Sequence, residues 1–156
     1  MMPQNKVYWE DVAEGQDIGS YSMVMTAVKI SGGAWATRDT NPIHHDKDFA
    51  QKAQQKNVIV NIMHAEGILS RLATDWSGPE GELKRTRFNI EGNCCAGDTM
   101  TVSGKVTRKW IGGGDEGYVS GLHLVELQVN SVTPDGPFCN AQITMALPTR
   151  ADEGSR

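Results

Sequence analysis

Long hydrophobic runs are missing from this 156-residue chain. The longest apolar stretch, Val58-Ile59-Val60 with the neighbouring Ile62-Met63, falls far short of the ~18 residues a membrane span requires. The opening Met1-Met2-Pro3-Gln4-Asn5-Lys6 has none of the apolar core of a secretory signal, which points to the cytoplasm. Cysteine is scarce. Cys94, Cys95 and Cys139 form an odd set with one adjacent pair and no CxxC spacing, so they read as free thiols. Charge of one sign is not in excess either: 15 Lys and Arg against 19 Asp and Glu leave a net −4. No long basic run interrupts that balance, which makes the chain a poor general nucleic-acid binder. Internal repeats and low-complexity blocks are absent as well. The expectation is one domain over residues 1–148, followed by a polar, frayed tail over residues 149–156.

What is present divides into a helical first half and a strand-rich second half. Ile62, Ala65, Ile68, Leu69, Leu72, Ala73 and Trp76 recur at three- and four-residue spacing, so residues 61–76 predict one long helix with a single apolar face. Asn61 can cap its start, and Ser77-Gly78-Pro79 ends it. A shorter helix is expected from about Thr26 into Trp35, weakened by Gly32-Gly33, and another helical turn or two from Asp46. Beyond residue 82 the period changes to two. Residues 84–90, 98–109, 118–132 and 138–147 then predict four strands with short links, an antiparallel sheet. A long apolar helix followed by such a sheet must bury its stripe on a sheet face, so the class is α+β. A curved sheet wrapped around one helix is the compact solution.

One loop carries the candidate chemistry. Between the first helix and Asp46, an Asp, an Asn-Pro turn and two His lie within eight residues: Asp39, Asn41-Pro42, His44 and His45. Asn-Pro opposes helix and makes a stiff bend, which can aim the Asp39 carboxylate and the His44 imidazole at one small volume. Such a pair suits proton traffic on a water, each group tuning the other toward neutrality. A cap and a surface residue are the plainer assignment for the same two side chains.

The string Asp39-Thr40-Asn41-Pro42-Ile43-His44-His45-Asp46 resembles the signature Asp-x-Asn-Pro-hydrophobic-His-x-Asp of the MaoC-like, R-specific enoyl-CoA hydratases. The opening residues 7–16 resemble that family's lead-in. Val60-Asn61-Ile62-Met63-His64 and the stretch Leu69 to Pro79 resemble a branch acting in steroid side-chain degradation. The resemblance runs over roughly residues 7–147. It implies a hot-dog fold, in which a curved antiparallel sheet wraps one long helix. It also implies reversible, syn hydration of a trans-2-enoyl-CoA without cofactor or metal, with Asp39 and His44 as the catalytic pair. Asn41 and Pro42 would brace the loop. An N–H at the start of the long helix would hold the enolate oxygen, and His64, Ala65 and Gly67 are the residues that resemble the family's His-Gly opening there. The family often has Gly or Ser before its Asp, where Arg38 stands in this chain.

Other residues fit the same picture less directly. Lys84, Arg85 and Arg87 could receive the phosphates of coenzyme A, although a solvated strand face is the plainer assignment. His45 and Asp46 beside His44 lack the converging third ligand that a metal needs. His123 falls within a strand as an outward or cross-strand residue, and Gly112-Gly113-Gly114 reads as a hairpin turn. The expected partners are an acyl-CoA substrate, a second copy of the chain in isolation, and a related hot-dog subunit in the cell, with no nucleic acid and no membrane. Rival functions are a thioesterase on the same fold, a dehydratase acting on a carrier-protein acyl group, a non-catalytic subunit and a plain ligand-binding module.

Overall fold

The apolar stripe and the cap produce the expected long helix, α3 (Ile62–Ser77). Asn61 Oδ1 accepts the His64 N–H, and Gly78 follows the last turn. The computed structural model describes residues 6–113 and 120–153. Ahead of α3 lie a 3-10 turn at Trp9–Asp11, strand β1 (Asp17–Val24), helix α1 (Ala27–Ala36), a 3-10 turn at Pro42–His44 and helix α2 (Lys47–Lys52). Behind it come β2 (Glu82–Ile90), β3 (Thr99–Ile111), β4 (His123–Thr133), β5 (Gly136–Ala146) and a final helical turn, α4 (Arg150–Glu153). Helices α1 and α2 begin at Thr26 and Asp46, whose side chains accept the Lys29 and Phe49 N–H groups.

The five strands form one antiparallel sheet in the order β1-β3-β4-β5-β2, and α3 packs against all five. Val102, Val106, Val125, Leu127, Val129, Ala141, Ile143 and Met145 face Ala65, Ile68, Leu69, Leu72 and Ala73 of the helix. This is the α+β hot-dog arrangement. Two β-bulges help to curve the sheet, one between Val106 and Arg108 and one between Leu83 and Arg85. Each extra residue, Thr107 and Lys84, also reverses the in–out alternation, which turns Arg108 and Arg85 onto the outer face. No helix among the described residues is long and apolar enough to cross a membrane.

The structure departs from expectation in four places. Strand β1 was not anticipated; it pairs with β3 at one sheet edge. Ile62, which spacing assigns to the buried face of α3, is 56 % exposed at the first position of the helix. The tail does not begin free: Thr149 is buried, the Arg150 N–H donates to Glu10 Oε1, and the Arg150 guanidinium pairs with Asp11. Strand β4 starts at His123 rather than at residue 118; residues 118 and 119, like Gly114 of the glycine turn, lie outside the described residues.

Candidate active site

Helix α1 ends in a way that delivers Asp39. The Arg38 N–H donates to the Trp35 carbonyl and the Asp39 N–H to the Ala34 carbonyl, a Schellman closure with Arg38 in the left-handed region at φ 57°. Asp39 is therefore the second residue beyond the helix cap, held by its own backbone. The following Asn41 Oδ1 accepts the Ile43 N–H, Pro42 opens the 3-10 turn, and His44 closes it. These contacts fold the chain back so that His44 faces Asp39.

His44 is buried, and its two ring nitrogens have different duties. Nδ1 lies 2.7 Å from the Ile59 carbonyl oxygen and Nε2 lies 3.1 Å from Asp39 Oδ2. A carbonyl only accepts, so Nδ1 must carry a hydrogen. Nε2 then faces a carboxylate oxygen, close enough for a proton to pass between the two groups. The Asn41 N–H, the Asn61 amide and His44 hold the Asp39 carboxyl below its ordinary pKa against the opposing effect of burial. The pair is thus a carboxylate oxygen and an imidazole nitrogen within hydrogen-bond reach, partly open to solvent on the Asp39 side.

The helix start lies beside this pair. Asn61 is 2 % exposed; its Nδ2 is 3.2 Å from Asp39 Oδ2 and 2.7 Å from Thr37 Oγ1. The His64 N–H is taken by the Asn61 side chain and the Ala65 N–H by the Asn61 carbonyl. Ala65 is also fully buried. The oxyanion assignment to Ala65 is therefore corrected, since its hydrogen is already spent within the helix. Gly67 is a turn further in, where the N–H points along the axis to a helix carbonyl. Ile62 and Met63 keep N–H groups with no acceptor among the described residues, and both side chains are exposed.

His64 does not aim at the pair. Its ring packs on Gly33 of α1, where an added Cβ would fall 2.1 Å from Nδ1. That nitrogen is buried without a partner among the described residues, and burial holds the His64 pKa below its ordinary value. His45 turns outward against Trp35, with ring centroids 5.5 Å apart, and His123 meets Trp9 edge-on. Asp46 is spent as the cap of α2.

Lys84 pairs with Glu82. Arg85 and Arg87 line a cavity of about 280 Å³ on the outer sheet face, with Arg108, Trp110, Glu126 and Gln142. Within one chain the structure does not bring these three basic residues to Asp39 and His44. The cysteines are buried, and burial pushes the Cys94 thiol up to about 12, far from a reactive thiolate. Asn61 and Ile62 are the site residues that motif reading missed. The cap signal at Asn61 marked the helix start, and the N–H groups just inside that start are the unspent ones.

The comparisons agree with this architecture. Over 74 residues the chain is 40 % identical to the 3-oxo-4,17-pregnadiene-20-carboxyl-CoA hydratase beta subunit of Mycobacterium tuberculosis, covering 47 % of this chain and 57 % of that protein. It is 32 % identical to an (R)-specific enoyl-CoA hydratase of Rhodospirillum rubrum, over 64 % of this chain and 69 % of that one. A chain of the ChsH1-ChsH2 complex from Mycobacterium tuberculosis superposes with a TM-score of 0.76 at 27 % identity, covering 86 % of this chain and 98 % of its own length. The family model for the MaoC like domain matches residues 11–122, and the chain belongs to that family.

Proposed function

We propose that this chain catalyses the reversible hydration of a trans-2-enoyl-CoA to a 3-hydroxyacyl-CoA. The observation that carries the proposal is the buried His44 held 3.1 Å from Asp39 with its other nitrogen committed to a carbonyl. A water lying on both groups gives its oxygen to C3 of the enoyl thioester. One of its protons passes to the pair, and the pair delivers a proton to C2 on the same face, so the C2–C3 double bond is consumed. Negative charge that develops on the thioester oxygen meets the Ile62 and Met63 N–H groups at the positive end of α3. No side chain in this scheme calls for a metal or an organic cofactor.

The relatives named as hydratases support the reaction class, and the mycobacterial relative is named for a steroid-type acyl-CoA. That relative is a subunit, and the superposing chain comes from a two-component complex, which supports a related hot-dog partner for this chain too. In isolation the proposed unit is a homodimer.

The test is a panel of enoyl-CoAs, short straight-chain to steroid side-chain esters, followed by loss of the conjugated enoyl absorbance. Asp39→Asn and His44→Ala should each lower kcat/KM by about 10²-fold or more, and the double variant should be little worse than the worse single. Wild-type turnover in either single variant removes the mechanism. Release of free thiol without loss of the double bond would instead mark a thioesterase.

A further inference from the structure

We infer that Asn61 is a positioning residue that locks the Asp39 carboxylate to the N-terminus of α3, so that one amide fixes both halves of the site. The inference rests on the hydration reading for its kinetic consequence but not for its geometry.

The Asn61 side-chain oxygen and both of its amide hydrogens each have an assigned use. Oδ1 accepts the His64 N–H as the helix cap, 3.2 Å away. That acceptance sets the amide orientation, because the opposite flip would point NH2 hydrogens at an N–H donor. Both Nδ2 hydrogens are then directed away from the helix, one to Asp39 Oδ2 and one to Thr37 Oγ1. Thr37 can take that hydrogen, because its own hydroxyl hydrogen goes back to the α1 carbonyls of Gly33 and Ala34. The chain of contacts runs from α3 through Asn61 to the end of α1, with both amide hydrogens of Asn61 used. Asp39 Oδ2 is also the oxygen that faces His44 Nε2. Asn61 therefore grips the same atom that faces the imidazole, while its backbone precedes Ile62 and Met63, whose N–H groups the hydration reading assigns to the thioester oxygen.

Burial sharpens the requirement. Asn61 is 2 % exposed, so a residue that left Thr37 or Asp39 unanswered could not substitute a water freely. Asp at this position would still cap the helix, since Asp and Asn are equivalent caps. It would also set a second carboxylate against Asp39, where like charges favour a proton on one of them. Ser would cap α3 yet is too short to reach Asp39. His44 is the titratable side chain in contact with Asp39 among the described residues, and the Asn41 N–H is its remaining donor.

The experiment compares the full chain with Asn61→Asp and Asn61→Ser. Thermal melting tests the cap, carbon-13 NMR follows the Asp39 carboxyl titration, and enoyl-CoA kinetics across pH give kcat and KM. Asn61→Asp should still unfold cooperatively, because the cap survives, but at a lower temperature than wild type, because Thr37 and Asp39 lose their buried donor. The Asp39 midpoint should move up by about one pH unit or more. Its kcat should fall at least about tenfold with KM little changed, and the acid limb of the rate profile should move up with the carboxyl. Asn61→Ser should show a smaller fall in kcat. A folded Asn61→Asp whose Asp39 titrates as in wild type overturns the inference, whatever the kinetics. If both variants lose their melting transition, Asn61 is a cap alone and the inference also fails. If wild type hydrates no enoyl-CoA, the hydration reading falls, and the carboxyl titration still decides the role of Asn61.

Discussion

Arg38 holds a backbone conformation that an L side chain resists. The left-handed region costs a non-glycine residue roughly 1–2 kcal/mol, and at φ 57° Arg38 meets that cost so that Asp39 can close the Schellman turn. Glycine would remove the steric cost but lose more chain entropy on folding, so Arg38→Gly should stabilise the protein by about 0.5–1 kcal/mol, read as a shift in denaturant midpoint. An unchanged or lower midpoint would mean that the Arg38 side chain makes a compensating contribution. Gln54, at φ 64° after α2, occupies the equivalent turn, with the Gln55 N–H on the Ala50 carbonyl. The departure from the glycine or serine that often precedes the family's aspartate therefore has a local energetic meaning. It leaves the position of the carboxylate intact.

At the scale of elements, α1 and α3 meet where Gly33 lets the His64 ring lie against backbone. Gly33→Ala would drive a methyl into the imidazole, so the helix-propensity gain of about 1 kcal/mol should be outweighed and the melting point should fall. His64 adds a pH dependence. Its folded-state pKa lies below the ordinary 6.5, so the unfolded chain binds the proton more readily. Its contribution to stability is full above about pH 6.5 and is lost as pH falls toward the folded value. His64→Leu should flatten that part of the stability profile, measured by denaturant titration at several pH values. The same contact shows what was legible beforehand. The spacing of Ile68, Leu69 and Leu72 revealed α3, and alternation revealed β3, β4 and β5, because periodicity follows burial on one face. The two bulges could not be read that way, since one extra residue changes the face without changing composition. Strand β1 was missed because Gly19 and the serines on either side of Tyr21 blur its alternation. The Asp39–His44 pairing was legible through its motif. The choice between Ala65 and the earlier N–H groups was not, because it depends on which hydrogens the cap has already used.

The whole molecule leaves two sheet edges, β1 and β2, with no further strand among the described residues. An open edge offers a row of backbone donors and acceptors to another chain. Strand β2 also exposes Leu83 and Ile90, and near the site Trp35, Ile62 and Met63 stand in solvent. These features make association the expected state, and β2 is the edge through which it is expected to form. Light scattering at micromolar concentration should give a dimer, and a monomer there sinks the idea. Leu83→Lys with Ile90→Lys should shift the equilibrium toward monomer, because lysine on an edge strand opposes pairing with a second edge. The identity of the partner has a separate readout. Two identical chains place an Asp39–His44 pair in each half, whereas a related subunit without its own pair would free that half for a bulkier acyl group. If the working partner is such a subunit, the isolated chain should hydrate its best acyl-CoA poorly and gain turnover when the partner is added. Full activity of the purified homodimer on that same substrate would exclude the requirement, and the edge formed by β2 would then serve self-association alone.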